Sequence, residues 1–346
     1  MHRYELLEHL RTQVDYTTRE HILMGDLDLA VHATVSPFPA NRYFSRTVRA
    51  AAPWATATRR HHYFWMRPED LAEPVLGEVT RHADRGFRAE RFRDGFYLTH
   101  HHGAPALLFV TEDATYVIGG DPSKVFWSYF VKVALTRHAH RSGRLHLKAG
   151  AIVAEDRTLL VVGRGGGGKT FLSLLASGAG ATFVSNTHVL LAPDSTIGVT
   201  SSIRVRPDPA YDWLFARAET SPHFEGRESV IDPVDAGFRL APSAGAPDAI
   251  VILDHSGRGD RSVEPVTPRE ARALVDHFAW PLNTYGMKYD VWDMVGGSLH
   301  RFSDYLDSES EQLDKLCGSV PALRVDWHLS GVSDVAALMA AVVGHC

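Results

Sequence analysis

The feature that most constrains the fold is a glycine-rich stretch between two apolar segments. Residues 163–170 read GRGGGGKT and fit the pattern G-x-x-x-x-G-K-[ST]. The preceding TLLVV predicts a buried strand, and the following TFLSLLA predicts a helix. Consecutive glycines let backbone N–H groups converge on an anion, and the helix N-terminus adds its positive end. The stretch therefore predicts an α/β fold with a phosphate-binding loop.

The same motif predicts a nucleotide ligand. Its lysine, here Lys169, reaches the β- and γ-phosphates, and the hydroxyl of Thr170 ligates Mg²⁺. ATP and Mg²⁺ are therefore the expected cofactors. The predicted nucleotide-binding residues are Gly163, Arg164, Gly165, Gly166, Gly167, Gly168, Lys169, Thr170 and Phe171. The alternative is a flexible glycine turn in which Lys169 is a solvated lysine at the start of a helix.

Composition and charge narrow the class of protein. The 346 residues carry 36 Lys and Arg against 41 Asp and Glu, a formal net charge of −5, which disfavours a general nucleic-acid binder. Two cysteines are too few for a disulfide framework and favour a reducing, cytoplasmic compartment. The sequence contains no apolar run typical of a signal peptide or membrane span. We expect a soluble, cytoplasmic protein with no nucleic-acid or membrane partner.

The hydrophobic patterning changes character near residue 140. Residues 1–24 predict an amphipathic helix, residues 61–118 an antiparallel meander, and residues 123–140 a buried helix. Further strands are predicted at 145–153, 158–162, 181–184 and 249–253, and further helices at 171–176, 267–278 and 333–343. The patterning therefore predicts an α+β N-terminal accessory domain of residues 1–140 and an α/β nucleotide-binding domain of residues 141–346.

Several segments, in this order, resemble the HPr kinase-like P-loop kinases, which are related to phosphoenolpyruvate carboxykinases. Around the glycine loop they are LHLKAGAIV (145–153), FVSNTHVLLA (183–192), SIRVRPD (202–208), AIVILD (249–254) and VEPVTPREARALVDHF (263–278). The resemblance covers roughly residues 120–343. It implies the P-loop core of that family, and transfer of a phosphoryl group from ATP to a hydroxyl of a small molecule or peptide. HPr kinases form oligomers, so a homo-oligomer is a further expectation.

The chain departs from the family's pattern after the first helix. The family has a pair of aspartates there, which supply magnesium coordination and the catalytic base, whereas this chain has Ser185 and Asn186, followed by Thr187 and His188. A neutral amide oxygen can still ligate Mg²⁺, as an Asn does in protein kinases. The resemblance thus implies Thr170 and Asn186 as the metal ligands.

The catalytic candidates are His146, Lys169, Asn186, His188, Arg204 and Asp254. An imidazole titrates near neutrality, so His188 or His146 is a candidate base, and the strand-end Asp254 is a third. Lys169 and Arg204 would stabilise charge on the transferring group. Each has a plainer interpretation: a core histidine, a strand-end polar residue, a solvent-facing arginine or a turn aspartate. The sequence leaves the base undecided among the three.

The missing acidic pair keeps two other functions open. One is a catalytically altered regulatory module that binds ATP without transferring phosphate. The other is an ATP-dependent enzyme that activates a carboxylate by adenylylation.

The histidine runs at 61–62 and 100–102 also suggest a metal, but adjacent side chains of a strand point to opposite faces, which disfavours a shared ion.

Overall fold

The chain combines helices with several β-sheets, two of which contain both parallel and antiparallel strand pairs, and this gives a mixed α/β architecture. The computed structural model describes residues 3–35, 44–46, 59–83, 90–92, 95–100, 106–119, 126, 130–164, 167–205, 209–216, 220–222, 229–254, 261–279, 291–292, 294–327 and 332–346. None of the helices in this described part of the chain is long and apolar enough to cross a membrane.

The helices are α1 (Arg3–Thr12), α2 (Glu73–Ala83), α3 (Val131–Arg141), α4 (Lys169–Gly178), α5 (Asp212–Phe215), α6 (Pro268–Ala279), α7 (Leu299–Ser319) and α8 (Val332–Val343). The strands of the first half are β1 (Thr18–Met24), β2 (Leu27–Ala33), β3 (Arg59–Met66), β4 (Glu90–Phe92), β5 (Gly95–His100), β6 (Ala106–Thr111), β7 (Ala114–Gly119), β8 (Leu145–Leu147), β9 (Gly150–Ala154) and β10 (Arg157–Val162). Those of the second half are β11 (Thr182–Ser185), β12 (Val189–Ala192), β13 (Ser195–Gly198), β14 (Ile203–Val205), β15 (Thr220–Pro222), β16 (Ser229–Ile231), β17 (Ser243–Gly245), β18 (Ala249–Leu253), β19 (Ser262–Val266) and β20 (Ala322–Asp326).

The chain divides into two compact units. Unit 1 comprises Met1–Asn41, Val48–Arg137 and Gly286–Asp304. Unit 2 comprises Arg42–Thr47, His138–Tyr285 and Tyr305–Cys346. Each unit is therefore assembled from separate stretches of sequence, whereas the patterning describes two continuous domains.

Unit 1 is built on a sheet with the strand order β1-β2-β3-β7-β6-β5-β4. Helix α1 packs Leu6, Leu7 and Leu10 into the same core as Phe64 and Met66 of β3. The expected helix over residues 1–24 is wrong beyond Thr12, because the chain turns at Gly25, which has φ +64°, and β1 pairs with β2 as a hairpin.

The expected antiparallel meander is also only partly correct. β4, β5, β6 and β7 pair antiparallel in sequence order, but β3 is parallel to both β2 and β7. Two parallel neighbouring strands need a crossover connection. Between β3 and β7 this connection contains α2 and the strands β4 to β6. Within β3 the adjacent histidines do face opposite ways: His61 contacts the hydroxyl of Thr115 at 3.0 Å, and His62 contacts His32 at 3.2 Å.

Unit 2 has a main sheet in the order β11-β9-β10-β18-β20-β19, in which β10, β18 and β20 run parallel. Side chains of β10 are buried on both faces. Leu160 and Val162 pack in a core with α6 and α7, and Leu159 and Val161 pack in a core with α4 and α8. This two-sided burial explains why the strand before the glycine loop is continuously apolar.

Unit 2 also contains two smaller sheets, with the strand orders β17-β13-β12-β8 and β14-β16-β15. The single strand expected over residues 145–153 is wrong, because β8 and β9 belong to different sheets. The predicted strand at 249–253 coincides with β18, and α6 begins with the expected capping box, in which Thr267 and Glu270 bond reciprocally.

Candidate functional site

The glycine loop connects the end of β10 with the first turn of α4. Gly168 has φ +88°, a left-handed conformation that favours glycine, immediately before Lys169 starts the helix. A Cβ at Gly163 would lie 3.3 Å from the carbonyl oxygen of Leu253, and one at Gly167 would lie 3.0 Å from that of Arg164. Other backbone approaches closely at both positions, which favours a residue without a Cβ. Residues 165 and 166 of the predicted site lie outside the described residues.

The side chain of Lys169 is folded into the loop. It is 8% exposed, and its Nζ donates hydrogen bonds to the carbonyl oxygens of Gly163 at 2.5 Å and Arg164 at 3.0 Å. Burial, and then the charge of Lys148, lower the pKa of Lys169 from 10.5 to about 8. Lys169 is therefore a buried ammonium beside the loop, not a solvated lysine at a helix start.

Lys148 is a neighbour of this site that the motif search missed. It lies between β8 and β9, and its N–H donates to the carbonyl oxygen of Phe278 at 3.0 Å. The ring of the same Phe278 has its centroid 5.9 Å from Nζ of Lys169. The backbone of Lys148 and the side chain of Lys169 thus contact the same residue, and the charge of Lys148 acts on Lys169. The available signal was a lysine in the otherwise apolar segment LHLKAGAIV.

The first turn of α4 carries two more predicted nucleotide-binding residues. Thr170 is half-buried, directly after the loop lysine. Phe171 is half-buried, and its ring packs edge-on against Tyr211, with 5.1 Å between the ring centroids. Thr170 thus directly follows the loop in the first turn of α4, whereas the ring of Phe171 packs against another aromatic side chain.

The structure brings the two candidate histidines together. Nε2 of His146 and Nδ1 of His188 lie 3.1 Å apart, and the side chains are 1% and 2% exposed. The contact arises because β8 and β12 pair antiparallel, with His146 opposite Leu190. A hydrogen bond at this distance requires that one of the two nitrogens carry a proton and the other accept it. His188 is therefore a buried partner of His146 and does not face solvent.

The segment in place of the acidic pair forms a tight turn between β11 and β12. The hydroxyl of Ser185 donates to the carbonyl oxygen of His188 at 2.8 Å. Asn186 is 3% exposed, and its Oδ1 accepts a hydrogen bond from the hydroxyl of Ser201 at 2.7 Å. The amide oxygen expected to ligate Mg²⁺ thus already has one donor, although a carbonyl oxygen has a second lone pair.

The two remaining candidates lie elsewhere in unit 2. Asp254 follows β18 at the carboxyl end of the parallel strands, where Ile252 pairs with Val162 just before the loop, and its side chain is exposed. Arg204 is the exposed middle residue of β14, on the sheet formed with β15 and β16. Asp254 is thus at the edge of the sheet from which the loop starts, whereas Arg204 belongs to a different sheet.

The two oxygen donors expected at a magnesium site, the hydroxyl of Thr170 and the amide of Asn186, are both uncharged. Within the described residues, His, Cys, Asp and Glu side chains form no group of three that could hold a metal ion. Thr170 and Asn186 offer two neutral oxygen donors, which suit a Mg²⁺ ion that keeps waters and phosphate oxygens as its other ligands.

No family model matches this chain, and no curated protein matches it.

Proposed function

We propose that this chain is an ATP- and Mg²⁺-dependent kinase with an HPr kinase-like core, which transfers a phosphoryl group to a hydroxyl of a small molecule or peptide. The observation that carries the proposal is the loop from Gly163 to Lys169. It combines a left-handed Gly168, two glycines at which an added Cβ would be tightly crowded by neighbouring backbone, and a buried ammonium bonded to loop carbonyls. The fit to the motif in sequence is matched by a geometry suited to phosphate.

The chain's own residues supply binding and charge. The N–H groups of the loop and the ammonium of Lys169 bind phosphate oxygens, once Lys169 exchanges its bonds to the carbonyls of Gly163 and Arg164 for bonds to the anion. Bound ATP supplies the phosphoryl group, and Mg²⁺ neutralises charge on its phosphates. Thr170 and Asn186 are the residues that would hold the ion. Phosphate charge also offsets the repulsion between Lys169 and Lys148.

The histidine pair supports a proton-transfer role. His146 and His188 are buried and share one hydrogen bond, so the pair can take up a proton from a hydroxyl and spread its charge over two rings. Asp254, exposed at the sheet edge, is the alternative base. The variants His188→Gln and Asp254→Asn separate the two, because loss of the base should lower kcat strongly while ATP binding is retained, whereas the other substitution should leave kcat close to the wild-type value.

Calorimetric titration with ATP and ADP, with and without Mg²⁺, tests the proposal. We expect magnesium-dependent binding in the wild type, and loss of ATP turnover in Lys169→Ala with its fold intact by circular dichroism. Lys315→Ala, which removes an exposed lysine of unit 2, is the matched control. ADP as product supports phosphoryl transfer, whereas AMP with pyrophosphate indicates adenylylation. An active Lys169→Ala variant would contradict the role of the loop.

One observation favours a second candidate, a regulatory module that binds ATP without transfer. The turn that replaces the acidic pair contains Ser185 and Asn186, and its polar groups bond to His188 and Ser201 within the protein. A carboxylate there would supply negative charge that these residues lack. Tight binding of ATP with no product from peptide and small-molecule alcohols would favour this candidate over the kinase.

A further inference from the structure

A short segment from the N-terminal part of the sequence belongs to unit 2. The described residues Phe44, Ser45 and Arg46 lie within Arg42–Thr47, which is grouped with the nucleotide-binding unit. Phe44 is fully buried and forms an antiparallel bridge with Ser201, and the N–H of Ser45 donates to the carbonyl oxygen of Thr200 at 3.3 Å. The segment is held by backbone pairing and by one buried aromatic side chain.

Two carboxylates hold the polar groups of the same segment. Oδ1 of Asp232 accepts a hydrogen bond from the hydroxyl of Ser45 at 3.0 Å, and Oδ2 accepts one from the N–H of Arg46 at 2.8 Å. The guanidinium of Arg46 forms an ion pair with Asp235 and lies 3.6 Å from Oδ2 of Asp232. A hydroxyl and a guanidinium are thus recognised together by acidic side chains.

The place where this segment binds adjoins the candidate site. Ser201, which bridges to Phe44, donates its hydroxyl to Oδ1 of Asn186 at 2.7 Å. Thr200, which accepts from Ser45, donates its hydroxyl to the carbonyl oxygen of Val184 in β11 at 3.2 Å. The segment therefore contacts two residues, Thr200 and Ser201, that hydrogen-bond in turn to Val184 and Asn186.

We propose that unit 2 has a peptide-binding site, that residues 44–46 occupy it in this chain, and that its external ligand is a peptide segment with an aromatic residue, Ser or Thr, and Arg in sequence. The inference concerns binding and goes beyond the proposed function. If the bound peptide is also the phosphoryl acceptor, the acceptor of the proposed kinase is a peptide and not a small molecule, and this step rests on the proposed function.

The contacts are those by which proteins recognise extended peptides. Backbone pairing supplies affinity, and a buried side chain with charged partners supplies specificity. The two aspartates also predict which form of the peptide binds more tightly. A phosphate on the hydroxyl would place a dianion beside Asp232 and Asp235. The site is therefore suited to the free hydroxyl and repels its phosphorylated form.

The test uses a fluorescent peptide with the sequence of residues 40–50, ANRYFSRTVRA, and fluorescence polarisation without nucleotide. The full chain with Phe44→Ala and Arg46→Glu vacates its own site, because it loses the buried ring and places a third carboxylate beside Asp232 and Asp235. We expect this variant to bind the peptide at least tenfold more tightly than the wild type, whose own segment competes at high effective concentration. Absence of binding by a folded variant would overturn the proposal.

Three controls define the specificity. The first control peptide carries Phe44→Ala and Arg46→Glu, and the second is phosphorylated on Ser45. Each should bind at least tenfold more weakly than ANRYFSRTVRA. Adding Asp232→Asn and Asp235→Asn to the vacated chain should abolish binding of the unmodified peptide, whereas adding Asp194→Asn, at an exposed turn of unit 2, should not. Equal binding of all peptides would overturn the proposal.

A second measurement covers the case in which the vacated chain fails to fold. In the wild type, millimolar peptide should displace the internal segment, so the amides of Ser45 and Arg46 should exchange with deuterium several-fold faster. The substituted peptide should leave their exchange unchanged. No acceleration at saturating peptide would count against a replaceable ligand. Because ATP is absent from every assay, a failure of the kinase proposal would not alter these results.

Discussion

At the residue scale, the electrostatic interaction between Lys148 and Lys169 at the loop can be measured. The charge of Lys148 contributes to lowering the pKa of Lys169 to about 8. We predict that Lys148→Ala raises the pKa of Lys169, because removing a like charge favours the protonated amine. Reductive ¹³C-methylation and NMR titration of the lysines measure this directly. Lys315→Ala should leave that pKa unchanged, and an unchanged value in Lys148→Ala would mean that the two ammonium groups do not interact.

Glu309 gives a second prediction at this scale, on stability. It is 2% exposed on α7, its Oε2 lacks a hydrogen-bond partner among the described residues, and burial raises its pKa from 4.5 to about 8. The folded state therefore keeps a proton that the unfolded chain loses, and this stabilisation, complete below pH 4.5, is lost as pH rises toward 8. Between pH 4.5 and 7 the loss is about 3 kcal/mol.

The variant Glu309→Gln isolates this effect, because glutamine keeps the shape and cannot ionise. In urea unfolding, the variant should gain on the wild type as pH rises from 5 to 8, and the two free energies of unfolding should run parallel above pH 8. Glu311→Gln, a neighbouring substitution on the same helix, serves as the control. A difference between Glu309→Gln and the wild type that does not change with pH would show that Glu309 is ionised in the folded protein.

What the sequence predicts at this scale follows from local constraints. A glycine loop between a strand and a helix was predictable because its residues form one local pattern, and Gly168 has a left-handed conformation that favours glycine. The approach of Lys148 to Lys169 and the pairing of His146 with His188 were not, because both depend on which strands become neighbours.

At the element scale, helix α7 shows how one buried polar residue can interrupt the apolar pattern by which a helix is predicted. Its buried side chains are Tyr305, Glu309, Leu313 and Cys317, at a spacing of four that is typical of a helix face. Because Glu309 counts as polar, the apolar stripe is interrupted, and the sequence analysis made no prediction for this helix. By contrast, α6 has both a capping box and an uninterrupted apolar face, and β18 is apolar on both faces, so both were predicted from the sequence.

The packing of β13 against β11 gives a prediction for an element. A Cβ at Gly198 would overlap the carbonyl oxygen of Val184 and lie 2.7 Å from its Cγ1. We expect Gly198→Ala to destabilise the protein by about 1 to 3 kcal/mol, since neither backbone nor a β-branched side chain can move aside easily. Chemical denaturation measures this.

Gly77 provides the matched control for this substitution. It is an exposed position within α2 with no atom in reach of an added Cβ, so Gly77→Ala should be neutral or stabilising by up to about 1 kcal/mol. If Gly198→Ala were as well tolerated as Gly77→Ala, the close approach of β13 to β11 would be wrong, and with it the position of the turn at Asn186.

At the scale of the whole molecule, the division into two units depends on contacts that a local pattern does not encode. The change in patterning near residue 140 lies close to the point where unit 1 gives way to unit 2 at Arg137 and His138. The exchange of Arg42–Thr47 and Gly286–Asp304 between the two does not follow from periodicity, because short segments join a unit through side chains far away in sequence. Ser45 on Asp232 is such a contact.

This division predicts where a nucleotide should stabilise the chain. The glycine loop, the histidine pair and the Asn186 turn all belong to unit 2. At a concentration one hundred times its Kd, a ligand adds about 2.7 kcal/mol to the stability of the unit that binds it. We therefore expect ATP with Mg²⁺ to slow hydrogen exchange about a hundredfold at amides of unit 2 that exchange by unfolding of that unit. Amides of unit 1, such as those of β3 and β7, should change far less.

Mass spectrometry of deuterium uptake with ATP and Mg²⁺, with ADP, and without nucleotide measures this contrast. In Lys169→Ala the protection should disappear, whereas Lys315→Ala should behave as the wild type. Equal protection of both units would mean that they unfold together and that the division is not an energetic one. Protection confined to unit 1 would place the nucleotide away from the glycine loop, because ligand stabilisation appears in the unit whose folding creates the site.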